Sequence, residues 1–391
     1  MYATRSGCYR NGISLPTDVP TLGQSFKDGG YQTGYIGKWH LYSDDGLRVV
    51  GPVPETHRAG YDYWLSSNVL EFTSEAYHTV MYDGDGNVVR LPGYRVDAVT
   101  DAAIRYIDAH HENGPFFLFV SFIEPHQQNR LDDFPALEGY RERYCGRWVP
   151  PDLAALGGST HQHLAGYCGM VKRLDEALGR LRDTLRSLDL EDNTVLMHTT
   201  DHGCHFKTRN SEYKRSCHES SVRIPTAAQG PGFDSRGQIR EVVSLIDFAP
   251  ALLAAASLSV PDTMQGRSML PLVWREAEGW PEEAFIQISE TQVGRAVRTQ
   301  RWKYGVDAPD KSGMEDSSSD RYVEEHLYDL EIDPYELRNL IGLESRAEVA
   351  DVMRDRLLRR MVEAGEPEPA IEKAPPRPSG QHLMSAAEAR M

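Results

Sequence analysis

The chain has 391 residues, 40% of them hydrophobic and 26% charged, with a formal net charge of -16. That length fits one large α/β domain with a smaller companion rather than a single small core. The acidic balance argues against nucleic acid or an anionic membrane surface as the main partner, but leaves room for a small anionic substrate in a local cationic pocket. Five cysteines, Cys8, Cys145, Cys168, Cys204 and Cys217, form too sparse and odd a set for a disulfide framework. No run of eighteen apolar residues predicts a membrane span, and MYATRSGCYRNG shows no apolar signal-peptide core.

In chain order, a helical pattern over 19–29 leads into a short β-leaning run at 32–36 (QTGYI), followed by Gly-Lys38-Trp-His40. A second helical pattern over 96–110 leads into the apolar run 116–122 (FFLFVSF), followed by Ile-Glu-Pro-His126. A third, over 166–188, repeats Val171, Leu174, Leu178, Leu181 and Leu185 at helical spacing. It leads into 194–200 (TVLMHTT), followed by Asp201-His202-Gly203. Continuous apolar runs predict strands buried on both faces, and their alternation with helices predicts a largely parallel sheet. The first domain is expected over 1–275. Short strand-like runs at 285–289, 295–298, 303–306 and 327–330, then a helix near 347–364, predict an antiparallel α+β subdomain over 276–365. The Pro- and Glu-rich segment 366–391 reads as a disordered tail.

All three polar clusters fall just past the C-terminal end of a predicted strand, the edge where open α/β sheets bind ligands. Lys38 and His40, two apart, project to one side of extended backbone and could bind an oxyanion and move a proton. The plainer alternative is a surface lysine beside a capping histidine. Asp201 and His202 offer oxygen and nitrogen donors to a divalent metal, or a turn cap and a satisfied polar residue. His126 follows Pro125, which can aim its ring; a core-edge histidine with a backbone partner is the other reading. Lys214, in a polar loop, is by default solvated. Cys204 and Cys217, with His202, His205 and His218 nearby, lack the paired short spacings of a zinc site. They stand as two free thiols or as a loop-closing disulfide.

Several stretches together resemble the sulfatases of the alkaline phosphatase superfamily. They are LPTDVPTLGQSFKDGGYQTGYIGKWHL, SFIEPH, DNTVLMHTTDHG, YKRSCHESSVRIP, LIDFAPALLAAASL, GRSMLPLV, RAVRTQRWKYGV and LYDLEIDPYELRNLI. The resemblance runs from about residue 4 to about residue 345. It implies an α/β fold: an alkaline-phosphatase-like sandwich of helices around a large, mostly parallel sheet, with a small C-terminal α+β subdomain. It also implies hydrolysis of a small-molecule or saccharide sulfate ester, one Ca2+ ion, and a formylglycine nucleophile made from Cys or Ser in a C/S-x-P/A-x-R motif. Carried over, Asp201 and His202 would be calcium ligands. Lys38 and Lys214 would hold sulfate oxygens, His126 would protonate the leaving alcohol, and His40 would orient the nucleophile. His205, Arg209, Glu212, Gln127 and Arg130 lie close to these motifs and are expected to contact a sulfated carbohydrate.

The sequence departs from the family at its start. TRSGCYRNGI resembles the segment just after the nucleophile motif, which places that motif, and the first metal-binding Asp pair, upstream of Met1. Cys8 is followed by Tyr9, Arg10, Asn11 and Gly12, without the motif's Pro and Arg. A start codon assigned too late and a truncated, inactive product are the two readings of this. A phosphodiesterase or phosphonate hydrolase holding two metals, and a non-catalytic binder of sulfated ligands, are the competing functions.

Overall fold

The computed structural model describes residues 1–235 and 237–378. They form two compact units: Met1–Lys214 with Ser220–Trp280, and Arg215–Glu219 with the chain from Pro281 onward. The second unit therefore begins at Pro281 rather than 276, and it takes in a five-residue excursion that contiguous boundaries could not express.

The first unit is built on strands β1 (Gln32–Trp39), β2 (Tyr63–Asn68), β3 (Thr79–Tyr82), β4 (Val88–Leu91) and β5 (Phe116–Ser121), in the order β4-β3-β2-β1-β5. β2, β1 and β5 run parallel, whereas β3 and β4 are antiparallel additions. The sheet is thus mixed, not mostly parallel. The reason is local: Asp83 accepts the backbone N–H groups of Asp85 and Asn87, a side-chain-closed turn that joins β3 to β4 too tightly for a parallel crossover. The third predicted strand shortens to β6 (Leu196–His198). It pairs with β7 (Ala227–Gln229) in a separate two-stranded ladder.

Side chains of β1 alternate between two cores, as the two-residue strand period requires. Ile36 packs with Leu65, Met81 and the helices α1 (Arg95–His110) and α2 (Thr160–Ser187), through Val99, Ala103, Tyr106, Leu181 and Leu185. Tyr35 and Trp39 face the other way, against Tyr61 and Trp64. The buried stripe of α2 is Gly166, Met170, Ala177, Leu181 and Leu185. Val171 lies one position off it and is exposed. β5 is paired on one side only, with β1. Its apolar run is accordingly half-buried, with Phe119 exposed, rather than covered on both faces.

The second unit holds β8 (Glu283–Ile288), β9 (Gly294–Thr299), β10 (Trp302–Asp307) and β11 (Arg321–Asp329), antiparallel and in sequence order, with α3 (Ala347–Ala364) packed on β9 and β10. The expected disordered tail is ordered over 366–378. Residues Ala370–Glu372 add a strand, β12, parallel to β11. Glu366 pairs at 2.9 Å with the buried Arg295, and Arg377 donates to the carbonyl of Ile341. Backbone pairing and a buried ion pair hold a composition that taken alone reads as disordered. The rest of that segment, 379–391, lies outside the described residues. All five cysteines are free thiols. Among the described residues no helix is long and apolar enough to cross a membrane.

Candidate active site

Four strand ends supply the polar residues of the first unit. β1 delivers Lys38 and His40. It can do so because Gly37, at φ +117°, lets β1 come so close to β5 that an added Cβ would lie 1.9 Å from the carbonyl oxygen of Ser121. β2 is followed by Val69, whose φ of 57° turns the chain into the short helix Leu70–Thr73, where Glu71 is buried. Glu71 Oε2 lies 3.7 Å from Lys38 Nζ, and Oε1 lies 3.9 Å from His40 Nδ1. Glu71 thus positions both residues of the Lys–His pair.

β5 leads to His126. The preceding Glu124 accepts from Arg95 Nε at 2.8 Å, both side chains being fully buried, so this loop is tied to the first turn of α1. His126 Nδ1 lies 2.6 Å from the carbonyl of Gln127. A carbonyl only accepts, so Nδ1 carries the proton and Nε2 accepts from the hydroxyl of Tyr213, 2.9 Å away. Tyr213 is buried and immediately precedes Lys214, whose Nζ sits 5.3 Å from the tyrosine ring centroid.

β6 leads to Asp201 and His202. The Asp201 carboxylate accepts the backbone N–H of His202 at 2.9 Å, and its other oxygen lies 3.2 Å from His202 Nε2.

Electrostatics join these groups into one site. Burial, then the charges of Lys38 and Lys214, push His126 down to about 2. Burial and Lys38, opposed by Glu71 and reinforced by Lys214, bring His40 down to about 4. Two ammonium groups therefore converge on two neutral imidazoles. Two buried polar atoms here, His40 Nε2 and Glu71 Oε2, have no hydrogen-bond partner. Buried polar atoms are normally satisfied, so these two are free to meet a polar ligand.

The expected sugar contacts divide. His205 is completely buried, and burial lowers it to about 4. Gln127 is buried and donates to Asp132, and the exposed Arg130 is paired with Glu75. Gln127 and Arg130 are thus paired within the protein, whereas both ring nitrogens of His205 are buried without a hydrogen-bond partner. Arg209 and Glu212 are half-buried. Glu71 and Tyr213 are the residues the sequence reading missed. Glu71 follows a strand that ends in Ser66, Ser67 and Asn68, which read as loop; nothing marks Tyr213 before the fold brings it to His126.

Neutral buried histidines set a pH dependence. The unfolded chain takes up protons near the ordinary histidine value of 6.5, whereas His126, His40 and His205 resist until about 2, 4 and 4. Stability is then full above pH 6.5 and is lost as pH falls below it, by roughly 1 kcal/mol per pH unit for each group. Urea midpoints measured between pH 7.5 and 5 are expected to fall steadily; a flat profile would contradict the placement of these rings.

Asp201 and His202 offer one oxygen and one nitrogen donor of the kinds that metals accept. Among the described residues no cluster of three His, Cys, Asp or Glu donors includes either. Calcium takes six to eight oxygens, so this pair alone does not make a calcium site.

Comparison with known proteins decides the family. The Sulfatase family model matches residues 1–258. The chain belongs to the sulfatase family. A model for the C-terminal part of N-sulphoglucosamine sulphohydrolase matches residues 211–363 of this sulfatase. It is 25% identical over 384 residues to the ulvan-active sulfatase of Formosa agariphila, covering 93% of this chain and 70% of that one. It is 22% identical to the N-acetylglucosamine-6-O-sulfatase of Bacteroides thetaiotaomicron, over 87% of this chain and 72% of that one. Among solved structures, a candidate sulfatase of Bacteroides fragilis superposes with a TM-score of 0.80 at 21% identity, over 94% of this chain and 84% of the other. A structure solved with its substrate D-glucosamine-2-N,6-O-disulfate gives 0.72 at 22% identity, over 94% and 87%. Sulfatases are sulfuric ester hydrolases and typically use a metal ion; these relatives are sulfatases rather than phosphodiesterases or phosphonate hydrolases.

Proposed function

We propose that this sulfatase removes sulfate from a sulfated carbohydrate at the edge carrying Lys38, His40, Glu71, His126, Tyr213 and Lys214. What carries this reading is that Glu71 lies 3.7 Å from Lys38 Nζ and 3.9 Å from His40 Nδ1, while the charges of Lys38 and Lys214 both bear on His126 and His40. Fixed cations stabilise the sulfate oxygens and the charge that builds on the leaving oxygen as the S–O bond breaks. Glu71 holds Lys38 and His40 in register. A bound sulfate brings negative charge against the two lysines, offsets their repulsion and lifts His126. Its Nε2 can then take a proton from solvent, part from the Tyr213 hydroxyl it accepts from at rest, and give the proton to the departing alkoxide. Asp201 and His202 stand as two donors toward the family's metal ion. A formylglycine would supply the family's nucleophile.

The saccharide assignment rests on polar Arg209 and Glu212 beside the site and on relatives named for ulvan and glucosamine sulfates. Sulfate release from sulfated glucosamine, from nitrophenyl sulfate and from a nitrophenyl phosphodiester tests it. The sugar sulfate is expected to give the highest kcat/KM; turnover of the phosphodiester alone would refute the reading. Arg209→Ala is expected to lower kcat/KM on the sugar about ten-fold, the loss of one charged hydrogen bond, and to spare the aryl ester. Equal losses on both would remove Arg209 from the sugar site.

A further inference from the structure

We propose that Cys217, His218 and His326, all in the second unit, form a binding site for a zinc-class transition-metal ion, separate from the metal donors Asp201 and His202. One ligand atom from each residue lies within 4.8 Å of the other two, close enough for a single ion to draw them into its shell. Cys217 and His218 are buried and His326 is half-buried. Cys217 and His218 sit in the excursion Arg215–Glu219, and His326 on β11, so the site links two pieces of chain about a hundred residues apart.

The donor set decides the ion. One thiol and two imidazoles are soft to borderline ligands, suited to zinc, cobalt or copper and poorly matched to calcium or magnesium. Three protein donors leave a fourth, tetrahedral position for water. The surroundings resemble the outer shell that orients metal-bound imidazoles. His218 Nε2 is 3.1 Å from the Tyr328 hydroxyl, and His326 Nε2 is 3.4 Å from the Glu325 carboxylate. The two imidazoles meet edge to face at 5.0 Å between centroids. Burial holds the Cys217 thiol protonated, at about 12, while Lys303 favours its ionisation. Binding is therefore a substitution at sulfur: the S–H bond breaks, an S–metal bond forms and one proton leaves to solvent. The bound ion would staple the segment 215–219 to β11. Sequence spacing hid the site because His326 lies far along the chain.

Co2+, a spectroscopic stand-in for Zn2+, titrated into the full chain tests this. One equivalent is expected to produce thiolate-to-cobalt charge-transfer absorption in the near ultraviolet, displaced by Zn2+. Cys217→Ser is expected to abolish the band, and His326→Gln to weaken Co2+ binding at least about ten-fold, with Tyr328→Phe costing about ten-fold. Zinc-edge X-ray absorption of the wild-type chain, which depends on no variant's folding, is expected to show one sulfur among nitrogen ligands. A wild-type chain without the band, a band that survives Cys217→Ser, or a zinc shell without sulfur would each overturn the proposal.

Discussion

Gly37→Ala is expected to cost at least about 4 kcal/mol of stability, in the exceptional tail of single substitutions. Two independent effects add. At φ +117° a side chain strains the backbone, and the new methyl carbon would sit 1.9 Å from the carbonyl oxygen of Ser121. The atom in the way is backbone, so no rotamer change relieves it; β1 must move from β5. Gly37 is paired in register with Ser121 and Ile36 with Val120, so the shift breaks the ladder that fixes Lys38 and His40. Activity is expected to disappear with it. Urea unfolding of the variant beside the wild type measures the cost, and a loss under about 1 kcal/mol would show that this close approach is not a constraint.

His126→Ala is expected to lower kcat on a sugar sulfate by about 10²- to 10⁴-fold, the range for loss of a positioned proton donor. The loss depends on the leaving group. A sugar alkoxide needs a proton as the S–O bond breaks, whereas nitrophenolate leaves without one, so the same variant is expected to lose less than about ten-fold on nitrophenyl sulfate. Tyr213→Phe removes the hydroxyl that meets His126 Nε2 at 2.9 Å. It is expected to displace the pH profile of kcat more than KM, as befits a residue acting through His126. Equal damage to both substrates in His126→Ala would make His126 a binding residue and not a proton carrier.

How legible all this was depended on polarity. β1 and β5 announced themselves because their cores, Tyr35–Ile36 and Phe116–Val120, are apolar and lead within a few residues to Lys38 and Glu124. β2 did not. Its last three residues, Ser66, Ser67 and Asn68, are fully buried yet polar; Asn68 Nδ2 donates to the carbonyl of Tyr42 at 2.8 Å and Ser67 Oγ accepts from the Thr73 hydroxyl at 2.9 Å. Tertiary hydrogen bonds there replace the hydrophobic signal, and with the strand unseen, Glu71 had no address. The mixed sheet was hidden for a related reason, since a tight Asp83 turn outweighs the helix–strand alternation elsewhere. His205 lies four residues past Asp201, where the chain has already turned into the core around Phe134 and Phe206, so nearness in sequence to Asp201 says nothing about facing. The family resemblance placed Lys38, His40, His126, Asp201 and Lys214 at one site; the residues that hold them there required coordinates.

The central claim is that Lys38 and Lys214 cradle the sulfate of the substrate. The most direct measurement is kcat/KM for sulfate release from sulfated glucosamine by the wild type, Lys38→Ala and Lys214→Ala, with circular dichroism confirming folded protein. Each variant is expected to lose about 10²- to 10³-fold, the scale of removing one charge-stabilising donor from an active site. Wild-type rates in either folded variant would contradict the account.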